Sequence, residues 1–393
     1  MSESTQNMSN NGAHVRHTAS FVGVRPSQIS NGGGRNSSIE LLRIIATYLI
    51  ILRHFVVFNT LDVWSQPLSV NKLVLEGILY PSGKVGVVLF FLISAWFLCE
   101  SSTDIKASFK RVWILEREIL FYSFALLALF YCIDRKQITK SLLVKTVFPI
   151  STNLWWYVTS YAIFLVLMPF VSKGLRALGE KVHKTCCIVC IIMWSVCGGL
   201  VNFVSFDMVE QNVLIFLYLY TLVSYWRWYI KKPIQTKNKI LAILAGYAVT
   251  VLSVAILSII TAKLHSNPAN QGMLGKNEWM LPVMLISFGT FALFKDHHFV
   301  NRIINNIAKS MLAVYLITVY PLSSTFLWGK LFDMTNFYET PLLIPLTLAS
   351  GLLILVACLC FDYLRRCIFR ITIDRNKGKW FDLLWNRTNA NSR

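Results

Sequence analysis

Four basic side chains, Arg43, Arg53, Lys84 and Arg117, stand inside apolar runs. A charge at membrane depth costs roughly 2.5 kcal/mol or more unless it is paired or hydrated, so each is a functional candidate. His54 joins them, alone among the seven histidines in falling within an expected span; His183, His265, His297 and His298 read as loop residues and His14 and His17 as tail. An imidazole so placed can act as general base toward a poor nucleophile such as a hydroxyl. Burial disfavours its charged form and leaves it able to accept a proton. Arg43 precedes His54 by eleven positions. At roughly 100° and 1.5 Å per residue, the two share nearly one helix face and stand roughly 16 Å apart along it. A thin, charged substrate entering beside Arg43 could therefore extend its reacting end to His54. The spacing equally admits an arginine that reaches lipid phosphates and a histidine that satisfies a buried hydrogen bond. Glu40, one turn before Arg43, is a ready ion-pair partner.

Other candidates are less specific. Gly83 and Gly86, with small Ser94 and Ala95 further along, let helix backbones approach closely and read first as packing. Lys110, Arg111 and Arg117, interleaved with Glu116 and Glu118, form a charged belt at a helix entrance. Cys187-x-x-Cys190 lacks a second pair or a partner histidine, so no metal is expected. Nothing around Ser94 or the cysteines marks an activated nucleophile, which leaves direct transfer and a covalent intermediate both open.

These residues must be positioned by membrane helices. Of 393 residues, 55% are hydrophobic and 15% charged, against roughly 25% charged in soluble domains. The apolar residues fall in blocks of roughly 17 to 22, the length that crosses a hydrocarbon core. An all-α integral membrane bundle of about ten helices is expected, at about 39–60, 83–100, 112–132, 155–172, 186–204, 212–226, 240–260, 279–295, 307–328 and 341–361. The net charge of +19 does not indicate a nucleic-acid binder, because the basic residues cluster at the ends of apolar blocks. With both termini cytoplasmic, most of them lie inside. The stretch 134–151 is the exception and reads as amphipathic and interfacial, or as a misplaced helix boundary. The expected organisation is a disordered cytoplasmic tail over 1–37, a transmembrane domain over 38–364 and a basic cytoplasmic tail over 365–393.

Ile39-Glu40-Leu41-Leu42-Arg43 followed by Arg53-His54-Phe55 resembles the R-x10-H signature of the acyltransferase-3 family, membrane proteins that acylate carbohydrates. Gly83 to Leu98 resembles that family's G-x-x-G-V-x-L-F-F-x-I-S-G-F-L element, with Ala95-Trp96 for Gly-Phe. Phe109 to Ser123 resembles its basic segment. Asn153-Leu154-Trp155-Trp156-Tyr157, through Tyr161 to Pro169, resembles the W-F-x-x-x-Y-x-x-L-x-x-x-x-P segment of its polysaccharide O-acetyltransferase branch. Ala308 to Thr318 resembles its S-x-x-x-x-x-Y-L-I-H stretch, with Thr318 where many relatives carry histidine. The basic segment also departs from R-x-x-R, since five residues separate Arg111 from Arg117. The chain resembles the stand-alone transmembrane form.

The resemblance implies a membrane O-acyltransferase that moves acetyl from cytoplasmic acetyl-CoA to a hydroxyl of an envelope or exported polysaccharide. His54 would be general base and Arg43 its catalytic companion. Arg43, Arg111 and Arg117 would hold the coenzyme phosphates, and Trp155, Trp156 and Tyr161 the carbohydrate acceptor. The partners expected are membrane lipid, acetyl-CoA and the saccharide, with no metal and no nucleic acid. A multi-pass transporter or flippase of a lipid-linked saccharide is the alternative, its path lined by the embedded charges.

Overall fold

An apolar chain in hydrocarbon has to satisfy its backbone internally, which leaves helices as the economical solution. The computed structural model describes residues 35–264, 273–376 and 378–390, and among them there is no strand. The class is all-α, as the composition requires.

The first helix, α1 (Ser37–Phe58), is capped by Asn36, whose side chain accepts the Ser38 N–H, and carries Glu40 in its first turn. Next, α2 (Val70–Val74) and α3 (Tyr80–Leu98) are joined through a π-turn at Leu75–Leu79 into one rod, Val70–Leu98. Asp104 caps α4 (Ile105–Ile133). A short amphipathic helix, α5 (Lys140–Val147), buries Leu142 and Thr146 and exposes Leu143, Val144 and Val147. Then come α6 (Trp156–Ala177), α7 (Gly179–Cys190) with a π-helical continuation to Gly198, α8 (Val213–Tyr229), α9 (Thr236–Leu264) and α10 (Leu281–Lys295). A 3-10 turn links α11 (Arg302–Ile307) to α12 (Met311–Val319), and α13 (Pro321–Phe326) follows. The chain closes with α14 (Leu343–Ile371) and α15 (Lys379–Ala390).

Each of the ten apolar segments expected from the sequence overlaps a helix, but among the described residues fewer than ten helices qualify as spans by length and composition. Six do, and the pair Arg302–Val319 and Pro321–Leu331, bent by 72°, completes a seventh. Of the others, α10 has 15 residues and α8 has 17, and α4 carries charge as far in as Glu118. Several boundaries also move. The helix expected from 186 begins at Gly179, which places His183 inside a candidate span and corrects its reading as a loop residue. The boundary expected at 364 falls within α14. Beyond it, α15 folds back on α4 through Lys110 Nζ to Asp382 Oδ2 at 2.6 Å and Phe109 against Trp385 at 5.8 Å. The expected N-terminal tail lies outside the described residues except for 35–37.

At the centre, α1 packs chiefly on α3, with α10, α12 and α14 around it. Glycine decides how closely the two can lie. A Cβ on Gly83 would stand 2.2 Å from Arg53 Cβ, and one on Gly86 would stand 2.4 Å from Ala46 O. Where the chain bends, Tyr320 leaves the helical region (φ −57, ψ 133) and Pro321 starts the next helix without an N–H to donate. The bend frees carbonyls at the end of α12, and one of them, Leu316 O, accepts the Trp155 indole N–H at 3.0 Å.

Candidate functional site

The N-terminal half of α1 delivers Arg43 to the bundle interior, where it is 7% exposed. Its Nε lies 3.8 Å from Glu40 Oε2, a loose pair, and its guanidinium stands 5.8 Å from the centre of the Phe90 ring. Phe90 meets Tyr157 edge-on at 5.7 Å; Tyr157 stacks on Tyr161 at 6.1 Å and meets Tyr315 at 5.8 Å. Arg43 is within electrostatic reach of both Tyr157 and Tyr161, and Arg111 is within reach of Tyr161. Five helices, α1, α3, α4, α6 and α12, thus converge on one polar nest in an apolar bundle.

The nest is under-satisfied. The hydroxyls of Tyr157, Tyr161 and Tyr315 are buried without a hydrogen-bond partner, as is Arg111 Nε. Ser94 stands beside the Tyr161 hydroxyl and the Tyr157 backbone amide beside that of Tyr315, without closing a bond of normal geometry. Buried hydroxyls without a partner also occur elsewhere, at Tyr220, Tyr320 and Tyr338; what sets this group apart is that its rings adjoin one another and lie beside the buried guanidinium groups of Arg43 and Arg111.

Roughly 16 Å further along α1, by helical rise, is His54. Its ring is half-buried, Nδ1 is enclosed without a partner, and Phe58 lies 5.7 Å away. Arg53 and Lys84 are its charged neighbours. Arg53 donates to Tyr80 O at 2.8 Å and covers the Tyr80 ring at 3.8 Å. Lys84 pairs with Glu278 at 2.8 Å, both buried, and Glu278 Oε2 keeps no partner. The residues just before α10 bring Glu278 there, anchored by Ser195 Oγ donating to Trp279 O at 2.5 Å. Among the described residues, no carboxylate or carbonyl is hydrogen-bonded to the His54 ring, so the orienting partner expected for a base is not in place.

The remaining residues separate. Arg111, 8% exposed, turns toward Tyr161, whereas Arg117 turns away toward Asp374 at 3.7 Å. Trp155 is 1% exposed, bonded to Leu316 and packed against Tyr320, so its indole offers no open face; Trp156 is half-buried against Tyr157 and Phe216. Trp155 thus sits beside α12, and Trp156 beside α8. Tyr161 belongs to the Arg43 nest. Thr318 is fully buried and bonds back to Val314 O at 2.9 Å, as a helical threonine does. His183, the second embedded imidazole, is engaged by Thr221 O at 2.9 Å and ringed by Tyr225, Trp228 and Tyr229. Sequence reasoning missed Tyr157 and Tyr315 as site residues and missed Glu278. Both tyrosines lie inside quoted motifs; only the orphaned hydroxyls single them out.

Chemically, the arrangement offers cations and neutral hydroxyls at one level of α1 and an imidazole beside a neutralised lysine at the other. Among the described residues, no group of three His, Cys, Asp or Glu side chains could hold a metal ion. The family model described as an acyltransferase domain, Acyl_transf_3, matches residues 36–361. No curated protein and no solved structure matches the chain.

Proposed function

The chain belongs to the acyltransferase-3 family and is a multi-pass membrane acyltransferase, and from that premise we propose that it moves acetyl from cytoplasmic acetyl-CoA to a hydroxyl of an envelope or exported polysaccharide in the cell membrane, with both termini cytoplasmic. The observation that carries this reading is that α1 holds Arg43 in one half of the bundle interior and the enclosed Nδ1 face of His54 in the other.

Arg43 and Arg111 take the coenzyme phosphates, where charge-assisted hydrogen bonds are strongest in a dry setting. The thioester then extends along α1 toward His54. There the imidazole accepts the proton of the attacking sugar hydroxyl, whose oxygen bonds the acyl carbon. The carbon–sulfur bond breaks, and the proton passes from the imidazolium to the departing sulfur. General-base assistance of this kind contributes roughly 100- to 10,000-fold. Lys84 is held by Glu278, which limits the field it imposes on the ring.

His54→Ala, inserted in the membrane at normal level, is expected to abolish polysaccharide acetate measured by mass spectrometry. Wild-type membranes are expected to transfer labelled acetyl from acetyl-CoA to a glycan. Full acetylation by the alanine variant removes His54 as base. A wild-type protein that exchanges no acetyl removes the acetyl-CoA assignment and points to a different acyl donor.

A further inference from the structure

Two tyrosines beside a buried arginine, with a third against one of them, carry buried hydroxyls without partners that packing does not explain. Tyr157, Tyr161 and Tyr315 are 5%, 4% and 7% exposed, and each would be better packed and less costly as phenylalanine if the empty protein were all that mattered. Their rings are held rigidly: Tyr157 lies among Phe90, Tyr161, Tyr315, Trp156 and Phe216. The hydroxyls are neutral, and each both donates and accepts. That distinguishes them from Arg43 and Arg111, which only donate and carry charge. Two kinds of recognition are therefore built side by side, one for an anion and one for an uncharged group with alternating acceptors and donors.

We propose that the hydroxyls of Tyr157, Tyr161 and Tyr315 bind the amide groups of the acyl donor's uncharged arm, while Arg43 and Arg111 hold its phosphates. This rests on the acyl-CoA reading above and deepens it. A secondary amide offers one N–H and one C=O, the complement of a phenolic hydroxyl, and carries no charge to be desolvated in the bundle. The tyrosines stand at the arginine level, so an arm held there starts the interval that the thioester has to bridge to His54.

The test uses the full-length protein in detergent or nanodiscs, with CoA and with acetyl-pantetheine, which keeps the amides and lacks the phosphates. Tyr157→Phe, Tyr161→Phe and Tyr315→Phe are each expected to weaken CoA binding about 3- to 10-fold, the worth of one neutral hydrogen bond. Without ligand, each variant is expected to melt at the same or a higher temperature than wild type, because an unsatisfied buried hydroxyl has been removed. A merely structural tyrosine would lower it. Toward acetyl-pantetheine the phenylalanine variants keep their defect, whereas the loss caused by Arg43→Gln is larger with CoA than with acetyl-pantetheine. Variants that bind CoA as wild type does, or melt lower without ligand, overturn the assignment. So does a tyrosine defect seen with CoA and lost with acetyl-pantetheine, which would move the hydroxyls to the phosphates. A wild-type protein that binds no CoA instead overturns the donor reading itself.

Discussion

Arg111 and Arg117 illustrate how a helix sorts side chains that look alike in a sequence. Six positions turn the helix by roughly 240°, so one guanidinium enters the tyrosine nest and the other leaves toward Asp374. Arg111→Gln is expected to raise the KM for acetyl-CoA about 10- to 100-fold, the range of one charge-assisted contact. Arg117→Gln, whose partner is half-exposed, is expected to leave KM unchanged and to alter stability by no more than about 1 kcal/mol. Steady-state kinetics on the two variants check the distinction. At this scale the sequence was informative about charge and weak about everything neutral. Arg43, His54 and Lys84 stand out because an ion in an apolar run is expensive. Tyr157 and Tyr315 do not, since an aromatic in such a run is ordinary, and only three-dimensional context reveals a hydroxyl left unsatisfied. Glu278 was hidden for another reason: it lies 194 positions from Lys84, and nothing local ties them.

The glycines matter most between elements. Gly86→Ala would press a methyl against the Ala46 carbonyl, which belongs to backbone and cannot swing aside. The expected cost is about 1–3 kcal/mol, read as a lower midpoint of unfolding in detergent. Gly174→Ala in α6, with nothing within 4 Å of the added methyl, is the matched control and is expected to be neutral or slightly stabilising. The G-x-x-G spacing was legible as close packing, and the contacts explain which helix it admits. Helix ends were less legible, because apolar windows stop where charges begin. Yet α14 runs on to Ile371, with Asp362 accepting from Tyr122 at 2.7 Å and from Arg365 Nε at 2.6 Å, while Arg365 also reaches Glu118 at 3.2 Å. Mutual pairing lets polar turns stay buried, and no window over one helix registers a partner on another. The bend at Pro321 was read as a single span for a similar reason: its composition is apolar throughout, and the proline alone does not fix an angle of 72°.

For the whole molecule, orientation is the testable quantity. The loop after α4 and the loop between α8 and α9 fall on opposite faces if successive rods alternate direction. In a cysteine-free background, Gln137→Cys is expected to react with a membrane-impermeant maleimide in intact cells, and Gln235→Cys only after permeabilisation. The reverse pattern would invert the topology and bring Arg43 to the outer surface, away from any cytoplasmic coenzyme. The charge distribution along the chain favours the first outcome.

The separation of Arg43 from His54 along a single helix has a bioenergetic corollary. If the bulky coenzyme stays anchored at one end and the glycan at the other, only a short acyl fragment ever travels the interval. The protein then needs no aqueous conduit wide enough for ions, and a cell can carry many copies of it without dissipating the proton gradient across the same bilayer.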